Sequence, residues 1–511
     1  MLARLHFAGE AIESGELERR IDLVAGGLNA LGIAAGDVVA LMLRNEPAAI
    51  ELTLACNRIG AYHCPVNWHF KDQELAYILN DSGAKALFIH ADLLTGVVAG
   101  IPRAVVTIAV TPAAYTLRTC GAVVDVAALP ANAPEYKSWR ERQSPYQGPA
   151  QIAPGRFAYT SGTTGRPKGV RRLTQALHPE QLRLLDETVR RTFGFDASAR
   201  AFLSAPLYHG APNLYAAQAA IRVDTLVLEP RFDAEATLRA IHEHRLTHLY
   251  LVPTMCVRML ALAEATKKRY DLSSVSFVIA TGSPFPREVK RAMIDWWGPV
   301  IFESYASSET GMTTIIDSEE WLRRPGSVGL PVGSAQIKIV SDEGRELGTG
   351  EIGNVYVRQP AYPDFTYHNL PEARSAIDYQ GMVCLGDVGF LDADGYLFIC
   401  DRKSDMVISG GVNIYPAETE DVLGTMPGVA DCVAFGIPDA EFGEALAAVV
   451  QPEPGAELSA DSVRNWLKQR IAGYKVPKLV EFVQTLPRED SGKIFKRSLR
   501  EPYWQKTGRS I

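Results

Sequence analysis

The chain has 511 residues, of which 47% are hydrophobic and 22% are charged, and its formal net charge is −7. This length is enough for about three or four domain-sized units, and the acidic balance argues against a broad basic surface for nucleic acid. The seven cysteines include no C-x-x-C pair, which indicates reduced thiols rather than a disulfide frame or a zinc site. Because Glu10 and Glu13 precede any long apolar run, we expect no signal peptide and a cytoplasmic protein.

The first part of the chain alternates helical patterns with short apolar runs. Helices are predicted at 16–30 and 234–244. The predicted buried strands are 38–43, 85–90, 224–229, 247–253 and 275–282. Strands separated by helices indicate βαβ units and mostly parallel sheets. The apolar window 23–43 contains Asn29 and Asp37, so it predicts a helix, a turn and a strand rather than an integral membrane segment.

The pattern changes from about Gly326 and again after Arg402. First come predicted strands joined by Gly and Asp turns, which is typical of β-hairpins. These strands are 334–340, 342–348, 353–359 and 392–400. Beyond Arg402, strands at 429–439 and 445–452 and a helix at 461–471 predict a small α+β unit. We place the boundary at 401–405.

Residues 159–170 read YTSGTTGRPKGV, and their residue types indicate a binding loop for an anion. Glycines allow the backbone N–H groups to approach an anion, hydroxyls donate to phosphate oxygens, and a lysine adds a point charge. The predicted phosphate-binding residues are Thr160, Ser161, Gly162, Thr163, Thr164, Gly165 and Lys168. The loop is not a Walker A motif, because Pro167 precedes the lysine and Gly169 follows it.

Four further motifs follow in order. They are YASSETG at 305–311, LGDVG at 385–389, DRKSDM at 401–406 and LPREDSGKI at 486–494. With the phosphate loop, they resemble the motifs of the adenylate-forming superfamily, which includes acyl- and aryl-CoA ligases, luciferases and peptide-synthetase adenylation domains. The resemblance extends from about residue 16 to residue 500.

The resemblance implies a role for at least one residue of each motif. It implies that Tyr305 stacks on adenine and Ser308 contacts phosphate. It also implies that Asp387 binds the ribose hydroxyls and that Arg402 contacts ribose or phosphate. The family usually has Thr at the position of Ser308, which keeps the hydroxyl. Lys493 matches the adenylation lysine, whose charge stabilises the developing negative charge at the α-phosphate.

The resemblance also implies a metal ligand and several further contacts. Glu309 is expected to hold Mg²⁺, an ion that suits one carboxylate plus substrate phosphates. Gly282 and Ser283 are expected to meet both the nucleotide and the acid. His209 is expected beside the acid, although a packed core histidine is an equal alternative. The expected contacts to coenzyme A are Gly410, Gly411 and, less specifically, Lys475.

The patterns and the resemblance together imply an α/β protein. A large N-terminal domain, 1–401, would combine mostly parallel α/β subdomains with a distorted β-barrel. A small mobile α+β lid, 402–511, would swing about a hinge near 401–405, where Ser404 replaces the Asp or Lys that is common in the family. Arg171 and Arg172 are predicted to lie on a solvated face.

The implied activity is an ATP-dependent ligation of a carboxylic acid to coenzyme A through an acyl-adenylate, with release of pyrophosphate and AMP. The acid pocket is predicted from 208–215, 253–258, 281–285 and 305–313. Its mixed lining favours a hydrophobic acid, either aromatic or medium-chain. Two alternatives remain: an enzyme that loads a carrier protein, disfavoured because no carrier domain follows before Ile511, and a non-catalytic nucleotide sensor. A homodimer is left open.

Overall fold

The structure is a computed structural model that describes residues 2–124, 130, 133–149, 151–160, 167–173, 179–409, 412–439, 442–488, 494 and 496–505. The first elements are β1 (Arg4–Phe7), β2 (Glu10–Ile12), α1 (Ser14–Ala30), β3 (Val38–Met42), α2 (Pro47–Ile59), β4 (Tyr62–Pro65), α3 (Asp72–Ser82), β5 (Ala86–His90), α4 (Ala91–Leu94), β6 (Val106–Val110), α5 (Ala114–Cys120) and α6 (Tyr136–Glu141).

The middle of the chain continues the alternation of strands and helices. Its elements are β7 (Ala158–Thr160), β8 (Lys168–Arg172), α7 (Pro179–Phe193), β9 (Arg200–Leu203), α8 (Gly210–Arg222), β10 (Thr225–Leu228), α9 (Ala234–His244), β11 (His248–Leu251), α10 (Pro253–Leu260), α11 (Glu264–Lys267), β12 (Phe277–Ala280), α12 (Arg287–Trp297), β13 (Ile301–Ser307), β14 (Gly311–Ile316) and α13 (Ser318–Arg323).

The last third is richer in strands. Its elements are β15 (Ser327–Pro331), β16 (Gln336–Val340), β17 (Gly353–Arg358), β18 (Phe365–Tyr367), α14 (Pro371–Ser375), β19 (Asp378–Tyr379), β20 (Met382–Leu391), β21 (Leu397–Arg402), β22 (Val407–Ser409), β23 (Val412–Ile414), α15 (Pro416–Leu423), β24 (Val429–Asp439), β25 (Gly443–Pro452), α16 (Ala460–Lys468), β26 (Leu479–Phe482) and α17 (Lys496–Gln505).

Two sheets with parallel strands form the large α/β core. The first has the order β4-β3-β5-β6, and every strand pair in it is parallel. The apolar runs of β3 and β5 are buried along their whole length, as strands covered on both faces must be. The second contains the parallel run β1-β10-β9-β11-β12-β13. The predicted strands in this part of the chain are confirmed.

The second sheet changes direction at β13. From there the strands continue in the order β14-β15-β21-β20-β17-β16, and each neighbouring pair is antiparallel. This antiparallel part corresponds to the region for which a distorted β-barrel is predicted. The predicted strand at 342–348 is wrong. These residues form a turn that an isolated bridge between Val340 and Glu346 closes, because Gly344 adopts a φ of 82° that ends extended pairing.

A small sheet in the order β18-β8-β7 holds both ends of the predicted phosphate loop. In it, Thr160 pairs with Lys168, and Val170 pairs with both Ala158 and Tyr367. Residues 161–166 lie outside the described residues. The antiparallel ladder therefore fixes where that loop starts and ends.

The C-terminal part forms its own sheet, β23-β22-β25-β24, with β26 beside β25. The chain leaves the large sheet inside the predicted 401–405 segment, since Arg402 still pairs with Asp387 and the Lys403 N–H donates to the Gly386 carbonyl at 2.7 Å. Helix α17 reaches back to this segment, where an Arg500 N–H donates to the Ser404 carbonyl at 2.9 Å. The division into a large domain and a mobile lid stays a prediction.

None of the helices in the described part of the chain combines the length and apolar character that crossing a membrane requires.

Candidate active site

A cavity of about 1860 Å³ opens at the carboxyl ends of the parallel strands. Residues just after four of these strands line it, namely Ala205 after β9, Val252 after β11, Thr281 after β12 and Ser308 after β13. The carboxyl edge of a parallel sheet is where open α/β folds bind their ligands. The cavity therefore lies where the fold predicts a substrate site.

The two described ends of the phosphate loop, Thr160 and Lys168, both line this cavity. The Lys168 ammonium lies 5.3 Å from the ring centroid of Tyr367. The Tyr77 hydroxyl donates to the Pro167 carbonyl at 2.9 Å. The predicted residues Ser161, Gly162, Thr163, Thr164 and Gly165 lie outside the described residues.

Glu309 and Ser308 face the same part of the cavity. Glu309 is only 8% exposed, and Tyr367 donates a hydroxyl hydrogen bond of 3.1 Å to it. Burial, reinforced by the neighbouring carboxylate of Glu309, raises the pKa of Tyr367, so this tyrosine remains a donor. One buried carboxylate that lines a cavity together with Thr160 and Lys168 fits Mg²⁺ that also takes substrate phosphate oxygens and waters.

Tyr305, Asp387 and Arg402 are joined in one cluster. The Tyr305 hydroxyl donates to Asp387 Oδ2 at 2.5 Å, and Arg402 Nε lies 3.2 Å from Asp387 Oδ1. Arg402 lines the cavity, as do Ala306 and Gly386, the chain neighbours of the other two residues. Burial raises the pKa of Tyr305 strongly, and the adjacent carboxylate raises it further. The structure thus brings together three residues from separate predicted motifs.

The same cavity also contains residues predicted to meet the acid. His209 and Gly282 line it, and the His209 ring lies 4.3 Å from the Tyr208 ring, centroid to centroid. Ser283 follows Gly282 but is not among the lining residues. The remaining wall is mainly apolar and includes Val189, Leu214, Ala217, Tyr250, Val252, Met255 and Met312. All four predicted pocket segments contribute at least one residue.

Several predicted residues are not brought to the cavity by the described structure. Lys493, Gly410 and Gly411 lie outside the described residues. Lys475 belongs to the C-terminal part and forms an ion pair with Glu418. Its role towards coenzyme A stays a prediction.

Two arginines in the cavity wall were not predicted to serve the site. The prediction of a solvated face is wrong for Arg172, whose guanidinium donates to the Pro363 carbonyl at 2.8 Å and the Ser308 carbonyl at 3.0 Å. Burial, with a second contribution from the nearby cation of Arg156, lowers the pKa of Arg172 to about 10. Arg171 also packs inward, 5.0 Å from the Tyr62 ring centroid. Sequence gave no signal for Arg156, because a basic residue beside a polar loop is usually solvated.

Comparison with known proteins agrees with this geometry. The AMP-binding enzyme family matches residues 4–362, and the AMP-binding enzyme C-terminal domain matches residues 418–493. A feruloyl-CoA synthase from Amycolatopsis sp is 33% identical over 497 residues, which cover 97% of this chain and 94% of that protein. An indoleacetate–CoA ligase from Aromatoleum aromaticum is 32% identical over 516 residues, covering 98% and 95%.

Among solved structures, ATP-bound MatB from Rhodopseudomonas palustris has a TM-score of 0.82 and 29% identity, covering 98% of this chain and 95% of that one. The chain belongs to the AMP-binding enzyme family. The predicted superfamily, the α/β fold and the acid–CoA ligase class are therefore confirmed.

Proposed function

We propose that this protein is an ATP-dependent ligase that joins a hydrophobic carboxylic acid to coenzyme A through an acyl-adenylate. The observation that carries the proposal is one cavity lined by two chemically different sets of residues. The polar set contains Thr160, Lys168, Glu309 and Arg402, the last paired with Asp387, and the other set is the apolar wall that accompanies His209. Membership of the AMP-binding enzyme family supports the same chemistry.

The reaction takes place in two displacements. In the first, a carboxylate oxygen of the acid attacks the α-phosphorus of ATP, and the bond to pyrophosphate breaks. In the second, the thiol of coenzyme A releases its proton to solvent, its sulfur attacks the acyl carbon, and the bond between that carbon and the phosphate oxygen breaks to release AMP. Neither displacement needs a covalent bond to the protein, so positioning and charge neutralisation supply the catalysis.

The residues around the cavity divide the work of the first displacement. Thr160 and Lys168, with the loop between them, hold the phosphates. Ser308 donates to phosphate, and Asp387 with Arg402 holds the ribose. Glu309 would hold Mg²⁺, which supplies positive charge to the phosphate oxygens when bound.

The lid residues serve the two displacements in turn. Lys493 neutralises charge at the α-phosphate during adenylation. A swing of the C-terminal part near Ser404 then withdraws it and brings the segment with Gly410 and Gly411 to the cavity for the thiol. Lys475 is a further candidate for the phosphates of coenzyme A, once it leaves Glu418.

The acid is hydrophobic, and we expect an aromatic acid first and a medium-chain fatty acid second. The pocket wall offers Tyr250, Met255 and Met312 to a ring or chain. The two relatives described above are named for aromatic acids. The setting in the cytoplasm and a homodimer also stay predictions; the seven cysteines are free thiols, which suits a reducing compartment.

The test is to incubate the purified protein with ATP, Mg²⁺, coenzyme A and a panel of benzoic, cinnamic and straight-chain acids. AMP, pyrophosphate and an acyl-CoA in equal amounts are the expected products. Release of pyrophosphate with no thioester formed from any of the acids tested would favour the carrier-loading alternative. Absence of turnover with every acid would favour the nucleotide sensor.

A further inference from the structure

Arg156 joins the strand before the phosphate loop to the start of α8. Its backbone forms a parallel bridge with His63 just before β7, and its side chain lines the cavity. The guanidinium packs on the N-terminus of α8, because a Cβ built on Gly210 would lie 2.9 Å from its Cζ, Nε and Nη2. The side chain thus reaches from the strand that begins the phosphate loop to the helix that begins the acid pocket.

The bonding of Arg156 differs from that of its neighbour Arg172. Arg172 donates to two carbonyls, Pro363 and Ser308, and lies 5.1 Å from the Tyr362 ring centroid. No atom of the described residues accepts a hydrogen bond from the buried Nε of Arg156. Its electrostatic neighbours are Tyr362, Glu309 and Tyr250, and none of them hydrogen-bonds to it. Arg172 is therefore hydrogen-bonded within the fold. Arg156, by contrast, has an Nε–H donor for which the described residues provide no acceptor.

Arg156 lies close to groups of both charges, among them the carboxylate of Glu309. Arg172 is a second cation nearby, and the N-terminus of α8 adds a partial positive charge. Burial lowers the pKa of Arg156, and Tyr362 and Glu309 oppose this shift in that order. A buried charge without a partner is costly, and such groups are normally paired. An anion bound at this point would supply the missing partner.

We propose that Arg156 binds the carboxylate of the acid substrate and holds it for attack on ATP. This inference rests on the proposed ligase function and adds to it a residue that touches the reacting group. A guanidinium presents parallel N–H donors that match the two oxygens of a carboxylate. Its position next to Gly210, at the start of the helix that follows His209, suits a carboxylate entering from the apolar side.

The main test compares the wild type with Arg156→Met and Arg156→Lys. Calorimetry would measure binding of the acid that the wild type converts fastest and of its carboxamide, which has the same shape without the charge. Loss of a charge-assisted pair weakens binding by about 10- to 100-fold. We expect that loss in Arg156→Met for the acid alone, partial recovery in Arg156→Lys, and an unchanged KM for ATP.

Arg269→Met serves as the matched control, because Arg269 is an exposed arginine paired with Glu235. Should Arg156→Met fail to fold, Gly210→Ala provides a second route, since its methyl group displaces the guanidinium while alanine suits a helix. That variant is expected to raise the KM for the acid, and an unchanged KM would overturn the inference.

Three results with a folded Arg156→Met variant would also overturn it. The first is an equal loss of binding affinity for the acid and its carboxamide. The second is a loss of affinity for ATP in place of the acid. The third is a loss of affinity that is restricted to acids with a second carboxylate. Acyl-CoA formation by the wild type distinguishes a failure of the ligase function from a failure of the role of Arg156. An active wild type with an unaffected Arg156→Met refutes only the role of Arg156, whereas a wild type inactive towards every acid refutes the ligase and this inference with it.

Discussion

The Tyr305 hydroxyl donates a hydrogen bond of 2.5 Å to Asp387, and this bond links β13 to β20 across the cavity wall. Arg402, on the neighbouring strand β21, approaches the other carboxylate oxygen at 3.2 Å. The carboxylate of Asp387 therefore has both oxygens engaged before any nucleotide binds. Ribose hydroxyls would add to this cluster or replace one of its bonds.

Asp387→Asn is expected to weaken ATP binding about tenfold, because the neutral amide is a poorer acceptor for ribose hydroxyls and leaves Arg402 without its charged partner. The KM for ATP measures the effect, while the KM for the acid should stay within about twofold. Asp392→Asn is the matched control, since Asp392 also pairs with an arginine, Arg324, at 3.2 Å. Equal KM values for ATP in Asp387→Asn and wild type would remove Asp387 from the nucleotide site.

Glu309→Gln is expected to raise the Mg²⁺ concentration needed for half-maximal activity by at least about tenfold, since a hard divalent cation prefers a carboxylate to an amide. Activity titrated against Mg²⁺ at saturating ATP checks this. Glu320→Gln is the control, because Glu320 accepts a comparable tyrosine hydrogen bond, 2.9 Å from Tyr396, on another part of the fold. An unchanged Mg²⁺ requirement in Glu309→Gln would argue against a metal at this carboxylate.

Lys493→Ala is expected to lower the rate of adenylation by 100-fold or more, on the order of the loss of one stabilising group at a developing charge. Thioester formation from supplied acyl-AMP should persist, since the lysine is withdrawn by then. Pyrophosphate release and acyl-CoA formation would be followed separately. An equal loss in both half-reactions would contradict the division of labour between them.

Acid sensitivity is predicted from His63, a buried ring whose Nε2 lies 3.0 Å from Asn213 Oδ1. Burial lowers the pKa of His63 to about 4; the Asn213 bond opposes this shift and Arg156 adds to it. In the unfolded chain His63 takes up a proton below pH 6.5, whereas in the folded chain it does so only below about pH 4. The free energy of unfolding therefore decreases as the pH falls from 6.5 to about 4. The contribution amounts to about 3 kcal/mol at most.

His63→Gln keeps a side chain that can bond to Asn213 but cannot take up this proton. Its thermal unfolding midpoint should therefore decrease less steeply than that of the wild type between pH 7 and pH 4. Parallel pH profiles of the two proteins would contradict the assignment. His90, whose pKa burial lowers to about 3, remains in both proteins and supplies a common background.

Local patterns predicted much of the fold, because burial on both faces leaves continuous apolar runs such as those of β3 and β5. The strand at 342–348 was wrong because alternating polar residues also occur in a wide turn that a glycine at positive φ permits. The join at β13, where a parallel sheet becomes antiparallel, depends on contacts between segments far apart in sequence.

The candidate site was predictable where a short motif carries its own chemistry, as around Glu309 and Asp387. Arg156 and Arg172 were not, since their burial depends on α8 and on the segment around Tyr362, which tertiary folding brings in. Tyr367 was missed for the same reason: it lies 58 residues from the Glu309 that it contacts. Nothing next to these residues in the sequence indicates those partners.

The most direct test of the two-step ligase is a single turnover without coenzyme A. The protein, ATP, Mg²⁺ and an acid would be mixed, quenched and analysed for acyl-AMP and pyrophosphate, and coenzyme A would be added to a second sample before quenching. We predict an enzyme-bound acyl-adenylate in the first sample and its conversion to acyl-CoA and AMP in the second. ADP and phosphate as products, or a thioester that forms only when all three substrates are present together and without an adenylate, would contradict the account.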